Sequence, residues 1–289
     1  MPLSKLQFKP GINREGTNYS NEGGWFDGDK IRFRNGLPER IGGWTRVSNT
    51  QITGTPRKIF DFVTLSSQNL LFIGTEQKVF LENAGTFNDI TPIRSTVSLG
   101  TNPVNTTGGA GSGVVTITTQ AAHGAIAGDF VTLASLTTTD GITAAQLNIE
   151  HKITSVPSTT TFTITTAGSA TSGSTAGGGS SGTAAFQLNI GLNTTVLGSG
   201  WGAGTWGRFT WGSAAGSLSG QTLRLWSADN FGEDLIFNIA DSTIYYWDAT
   251  NGTSTRAVEL SSLTGASDVP TKARKILVSD VDRHCIAFG

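Results

Sequence analysis

The fold is decided by a stretch of sequence that occurs twice. Residues 58–93 read KIFDFVTLSSQNLLFIGTEQKVFLENAGTFNDITPI, and residues 223–260 read LRLWSADNFGEDLIFNIADSTIYYWDATNGTSTRAVEL. Each copy holds three short apolar runs, then a Gly-Thr turn and a final strand-like run. Residues 275–289, KILVSDVDRHCIAFG, repeat the first two runs. The chain therefore contains two copies of one unit and the beginning of a third.

Repeats of four short strands are typical of β-propeller blades, whose period is about 40 to 50 residues. One blade cannot bury both faces of its sheet, so neighbouring blades must stack on it. The predicted fold class is therefore all-β, a partial β-propeller with four-stranded blades. The third copy stops after two runs, so we expect either a longer protein or completion of the repeat by another chain.

Composition supports strands over helices. The 289 residues include 38 glycines and one methionine, and 14% of them are charged. Cys285 is the only cysteine, which excludes an intramolecular disulfide and a cysteine-based metal site. No signal peptide is apparent, and no apolar run approaches the roughly 20 residues of a membrane helix. We expect synthesis in the cytoplasm of the producing cell.

A long insertion interrupts the repeats. Residues 101–187 contain four charged side chains among strings of Thr, Ser, Gly and Ala. Short apolar runs within it predict an inserted small β-barrel or β-sandwich module on a blade loop. The predicted domains are 1–100 (N-terminal arm and first blade), 101–187 (module) and 188–289 (Trp-rich loop, second blade and start of the third).

The positive charge is concentrated near the N-terminus. Residues 1–58 carry a net charge of +5 and the remaining residues −6. Ile31 and Phe33 alternate with basic residues, and Asn35-Gly36 follows as a strong hairpin signal. This pattern predicts a half-buried strand whose basic face contacts phosphate or acidic partners, or is simply solvated. The candidate residues for such contacts are Lys30, Arg32, Arg34, Arg40 and Arg46.

Three tryptophans, Trp201, Trp206 and Trp211, recur every five residues in a glycine-rich segment. A period of five fits neither a helix nor a strand, so the segment is predicted to be a looped ribbon. Its indoles either form a subunit contact or pin the ribbon onto its own blade.

Known catalytic patterns are missing from the sequence. His123, His151 and His284 have no metal-ligand spacing, and no nucleophile, phosphate-loop or zinc-protease motif occurs. No pair of acids stands out as a glycosidase dyad. We therefore expect no enzymatic activity, no metal and no cofactor.

Several segments together resemble the packaged-DNA stabilisation, or tail nozzle, proteins of short-tailed bacteriophages. The resemblance covers the chain outside the insertion, and relatives continue past the point where this sequence ends. The module itself is similar to small β-modules of phage structural proteins and to a non-catalytic module of ubiquitin-activating enzymes. The matching segments are GINRE (11–15), GGWFDGDKIRFR (23–34), IGGW (41–44), WGAGTWGR (201–208), LRLWS (223–227), NFGEDL (230–235), YYWD (245–248) and DRHCIAFG (282–289).

The resemblance implies a structural role in the virion. Members of that family form a homo-oligomeric ring, usually a hexamer, that extends the DNA channel and retains packaged DNA until ejection. The implied partners are a portal-side adaptor protein, tail fibre, spike or needle proteins, and double-stranded DNA. The resemblance makes the five basic residues named above the candidates for lining the DNA channel or docking a partner. A carbohydrate-binding adhesin remains an alternative, suggested by the tryptophans and the Thr/Ser-rich insert, and a propeller glycoside hydrolase is a third.

Overall fold

The computed structural model describes residues 9–43, 45, 46, 48–173, 175–195, 222–279 and 281–289. These residues form antiparallel sheets with a single four-residue α-helix and two short 3-10 turns. The all-β fold class is therefore confirmed. The chain divides into two compact units, Met1–Asn49 and Thr50–Gly289. The first unit contains a hairpin of strands β1 (Ile31–Arg34) and β2 (Leu37–Arg40).

The first repeat folds as a four-stranded antiparallel meander, hereafter the first sheet. All three of its predicted apolar runs lie in its first three strands. Its last turn places Ala84 and Gly85 at positive φ (49° and 88°), the backbone of a tight hairpin. The strands are β3 (Pro56–Val63), β4 (Asn69–Thr75), β5 (Val79–Asn83) and β6 (Thr86–Asp89).

The inserted module is a sandwich of two sheets, ordered β11-β10-β15-β7 and β12-β13-β9-β8-β14. Its own core is closed by Phe162 and Phe186, whose ring centroids lie 5.5 Å apart. The elements are β7 (Ile93–Gly100), β8 (Val104–Asn105), β9 (Val114–Thr118), β10 (Phe130–Ala134), α1 (Ala144–Leu147), β11 (Glu150–Lys152), β12 (Ser155–Ser158), β13 (Thr161–Thr165), β14 (Ala176–Gly177) and β15 (Gly182–Gln187).

The module begins earlier than the predicted boundary between residues 100 and 101. Strand β7 pairs along its length with β15 rather than extending the first sheet. The strand that enters the module therefore lies beside the strand that leaves it. This pairing lets a blade loop carry a whole domain, because both ends of the insertion return to one place.

The second repeat forms another four-stranded meander, the second sheet, and the third copy forms a two-stranded third hairpin. Hydropathy predicts the first strand of the second sheet at Leu223–Trp226, whereas the strand runs from Trp226 to Phe231. The strands are β16 (Trp226–Phe231), β17 (Asp234–Ile239), β18 (Ile244–Trp247), β19 (Val258–Glu259), β20 (Lys275–Val278) and β21 (Cys285–Phe288), with 3-10 turns η1 (Ala249–Asn251) and η2 (Leu260–Ser262).

Polar side chains explain the shifted strand. Ser227 Oγ accepts the backbone N–H of Ile276 at 3.0 Å, and Asp229 Oδ2 accepts that of Val278 at 2.8 Å. Strand β20 pairs only with β21 among the described strands, and these two N–H groups bond side chains of β16, so they lie on the edge of β20 that no strand covers. Because a buried N–H without a partner is costly, the polar positions of β16 stabilise the edge that the third hairpin presents to the second sheet.

The sheets stack in series through the second sheet, both faces of which are buried. One face packs on the first sheet, where Phe72 lies 5.2 Å from Phe237 and 6.3 Å from Trp226 between ring centroids. The opposite face carries Ile236 and Ile244 and packs on the third hairpin. Stacking of successive four-stranded sheets is the arrangement that the repeats predict.

Gly74 leaves room for a close contact between the first sheet and the second sheet. Trp226 Nε1 donates to the carbonyl oxygen of Thr75 at 2.8 Å, which lays the indole along β4. A Cβ atom on Gly74 would lie 2.6 Å from Cδ1 of Trp226. The glycine at this position is therefore required by packing rather than by backbone conformation.

We expect Gly74→Ala to destabilise the second unit by about 1–3 kcal/mol, because the added methyl group forces the indole away from the sheet. Gly173→Ala is the matched control, since a Cβ there meets no atom within 4 Å. Urea unfolding monitored by tryptophan fluorescence measures both variants. Equal stability of the two would contradict the described packing.

Candidate functional site

The basic hairpin of the first unit has the turn that its sequence predicts. Asn35 and Gly36 connect β1 to β2. Both have a left-handed backbone, with φ of 52° and 81°, as the tight hairpin turn requires. This turn fixes the register, so Arg32 lies opposite Glu39 and Arg34 opposite Leu37. Directly opposed residues share a face of the ladder. One face of the hairpin therefore carries Arg32, Arg34, Leu37 and Glu39.

The other face holds the apolar side chains of the hairpin. Phe33 packs against Trp25 with ring centroids 6.1 Å apart. Gly28 leaves room for Ile31, whose Cδ1 would lie 2.4 Å from a Cβ at that position. The predicted alternation is confirmed, because Ile31 and Phe33 are half-buried while Arg32 and Arg34 are exposed.

The five candidate basic residues do not form one surface. Arg40 lies opposite Ile31 and so belongs to the apolar face of the ladder. Lys30 precedes β1 with φ of 55°, outside the strand's alternation, and its Nζ lies 3.6 Å from Asp29 Oδ2. Arg46 is exposed and lies beyond the end of β2. The hairpin therefore brings together Arg32 and Arg34 only.

The charge of this pair is partly balanced. Arg32 donates to both carboxylate oxygens of Glu39 at 3.2 Å, in a bidentate arrangement. Arg34 is exposed, and it forms no ion pair with any described residue. Arg34 is therefore the side chain of this face that is available to an external phosphate or carboxylate.

The acids beside the hairpin serve the local fold. Asp27 caps the backbone N–H of Gly28 at 2.8 Å and pairs with Arg14 at 2.6 Å. The hydrogen bond from Arg14 lowers the pKa of the Asp27 carboxyl below its ordinary value.

Within the described ranges, no three His, Cys, Asp or Glu side chains cluster as metal ligands do. Trp201, Trp206 and Trp211 lie outside the described residues.

The structure also contains a charged cluster that sequence reasoning does not find, the joint network of Lys78, Asp89, Glu150 and Arg256. Lys78 Nζ lies 2.8 Å from Asp89 Oδ2 and also contacts Glu150. Arg256 approaches the same two carboxylates at 3.3 and 3.4 Å. These residues come from the first sheet, the module and the second sheet, so the network holds all three together.

The surroundings of Lys78 make the network a buried one. Its side chain is 6% exposed and its Nζ lies 4.4 Å from the ring centroid of Phe130. Burial opposes ionisation of Asp89, but the charges of Lys78 and Arg256 outweigh it and lower the pKa of that carboxyl. The sequence spacing of these residues gives no signal, because the partners lie 11 to 167 positions apart.

We expect Lys78→Met to destabilise the second unit by about 3–5 kcal/mol at neutral pH, because two partly buried carboxylates lose a cation. The lowered pKa of Asp89 means that the stabilisation is present above its ordinary pKa of 3.8 and is lost as pH falls through the lowered value. The difference between wild type and variant should therefore shrink in acid.

Urea unfolding at neutral pH and in acid measures this difference. Lys272→Met, which removes an exposed charge, is the control and should change stability by less than about 0.5 kcal/mol. A Lys78 variant as stable as that control would show that the network does not hold the three bodies together.

Comparisons with known proteins find little likeness. No family model matches the chain, and no curated protein matches it. Among solved structures, it is similar to a phage phi92 endosialidase, with 14% identity and a TM-score of 0.28. The match covers 76% of this chain and 31% of that one, so this chain spans about a third of that protein. A likeness at this TM-score identifies neither the fold nor the activity. In the described residues, no helix has the length and apolarity to cross a membrane.

Proposed function

We propose that this chain is a non-enzymatic structural protein of a bacteriophage tail. In this role it forms a nozzle ring that extends the DNA channel and retains packaged DNA until ejection. The observation that carries the proposal is the exposed arginine face of the first hairpin, in the segment GGWFDGDKIRFR on which the family resemblance depends.

The charge of this face suits a surface past which DNA must slide. Phosphate contacts give affinity without sequence preference, and each contact weakens as salt rises. Arg34 offers one unpaired charge per subunit, whereas the ion pair with Glu39 weakens the attraction of Arg32 for phosphate. Weak contacts repeated around a ring retain DNA collectively and still let it move. A strongly cationic surface would bind too tightly for ejection.

The shared geometry of the repeats supports the structural part of the proposal. Motif residues Trp226 and Trp247 lie buried between the first and second sheets. In this role the chain would contact portal-side adaptor and fibre, spike or needle proteins in the virion, and double-stranded DNA in the channel. Assembly as a hexamer follows from the family resemblance.

We expect Arg34→Gln to weaken binding to double-stranded DNA, because the variant no longer neutralises a phosphate. The slope of log K against log salt should become shallower by about 1 for each phosphate that Arg34 neutralises. Arg14→Gln is the matched control in the same unit, because Arg14 is engaged by Asp27. Fluorescence anisotropy with a labelled duplex measures both.

Equal slopes for wild type and Arg34→Gln would contradict a DNA-facing hairpin. Binding to host polysaccharide by a chain that ignores DNA would instead favour the adhesin alternative.

A further inference from the structure

His123 is a buried histidine that the proposed function does not use. Its ring lies in the core of the module, 5.3 Å from Phe186 and 5.4 Å from Phe162 between ring centroids, and the residue is 2% exposed. Its Nδ1 accepts the backbone N–H of Ala125 at 3.0 Å, which assigns the proton of the neutral ring to Nε2. Both the packing and the hydrogen bond of this residue therefore require an uncharged imidazole.

The turn formed by residues 123–129, hereafter the latch turn, joins the two connections of the module. Arg94, on the entering strand β7, donates to the carbonyl oxygen of His123 at 3.0 Å. Asn189, which follows the leaving strand β15, donates to the carbonyl oxygen of Gly124 at 3.1 Å. The latch turn thus binds the chain where it enters the module and where it leaves.

The leaving connection is also held by the stack, which consists of the first sheet, the second sheet and the third hairpin. Asp129, at the end of the latch turn, accepts the backbone N–H of Ile190 at 2.7 Å. The next N–H, that of Gly191, donates to the carbonyl oxygen of Glu76 between β4 and β5 at 2.7 Å. Leu188 is buried in the core between the first and second sheets. A rearrangement of the latch turn therefore acts on the joint between module and stack.

The surroundings of His123 disfavour a charged ring. Burial is the strongest influence and lowers the pKa of His123 below its ordinary value of 6.5, and the charge of Arg94 on β7 acts in the same direction. Asp129 in the latch turn and backbone hydrogen bonds of Thr161 and Ser158 act in the opposite direction, without outweighing burial. Strands β13 and β15 contribute phenyl rings to the contact with the imidazole.

We propose that His123 is an acid-sensitive latch of the module. A proton bound at Nδ1 faces the N–H of Ala125, so two donors meet and their hydrogen bond breaks. The same proton puts a charge between two phenyl rings in an apolar core, which is costly. The latch turn then opens, and the attachment of the module loosens while the stack stays folded. The latch does not depend on the proposed function.

The lowered pKa sets the direction of the pH dependence. In an opened latch turn His123 reaches water and binds a proton with its ordinary pKa of 6.5, whereas the closed turn binds one only at lower pH. The closed turn therefore loses stability as pH falls below about 6.5. Asp89 of the joint network has a pKa lowered from 3.8, so it stays ionised at about pH 5. Mild acid thus acts on the latch and spares the joint network.

His151 offers an internal comparison, because it is the other buried histidine among the described residues. Its Nε2 lies 3.0 Å from the carbonyl oxygen of Leu147, and burial lowers its pKa too. A protonated His151 keeps an N–H toward that carbonyl, so its hydrogen bond survives charging. The adjacent Glu150 also favours the charged ring. Acid should therefore disturb the surroundings of His151 less than the latch turn.

Hydrogen–deuterium exchange of the full chain at about pH 7.5 and about pH 5, corrected for intrinsic exchange rates, tests the latch. In the wild type, the latch turn and residues 188–191 should lose protection by about tenfold at the lower pH, while β4 and β5 keep theirs. His123→Asn keeps an acceptor at the position of Nδ1 and cannot bind a proton, so its protection should be equal at both pH values. His284→Asn, at an exposed site, and His151→Gln are the controls and should respond like wild type.

His123→Phe covers the case in which the asparagine variant packs too poorly to fold. It fills the space between the phenyl rings but offers no acceptor, so protection of its latch turn should be low and independent of pH. A wild-type latch turn that is protected equally at both pH values would overturn the proposal. A pH response that persists in both His123 variants, or that spreads equally to β4 and β5, would do so as well.

Discussion

The second sheet carries large apolar side chains on both faces, and neither face can be left in water. Trp226, Phe237 and Trp247 fill one side, while Ile236 and Ile244 occupy the other. Full burial of such a side chain contributes about 1.5–3 kcal/mol, and aromatic pairs contribute further. The first sheet and the third hairpin are therefore held in place by the apolar side chains of the second sheet that they bury. Gly74 and the polar residues of β16 let the first sheet and the third hairpin approach the second sheet closely.

The module is attached to this stack by a different kind of interaction. Its entering and leaving strands pair with each other, so both of its connections to the stack lie side by side. The joint network adds Glu150 of the module to charges from both sheets. Buried ion pairs add little net stability but depend strongly on geometry, which makes them suited to fixing an orientation. Hydrophobic stacking thus builds the stack, and electrostatics orients the domain that it carries.

The sequence predicts whatever depends on local patterns. Alternation and the Asn35-Gly36 turn predict the basic hairpin, and the repeated apolar runs predict the two meanders. Prediction from the sequence fails where the role of a residue is set by a contact with a residue far away in the chain. Ser227 and Asp229 look like loop residues because their side chains accept hydrogen bonds from the backbone of β20. Strand β7 resembles a blade strand until its pairing with β15 is known. Arg40 looks like part of the basic face until the register sets it opposite Ile31. The joint network has no sequence signal at all, since its members meet only after three bodies have packed.

The most direct test of the proposed role is to image this protein within the assembled phage particle. A nozzle requires a six-fold ring coaxial with the DNA channel, with the face of Arg32 and Arg34 toward the lumen. A peripheral three-fold or monomeric position on the tail would contradict the account and favour a receptor-binding protein.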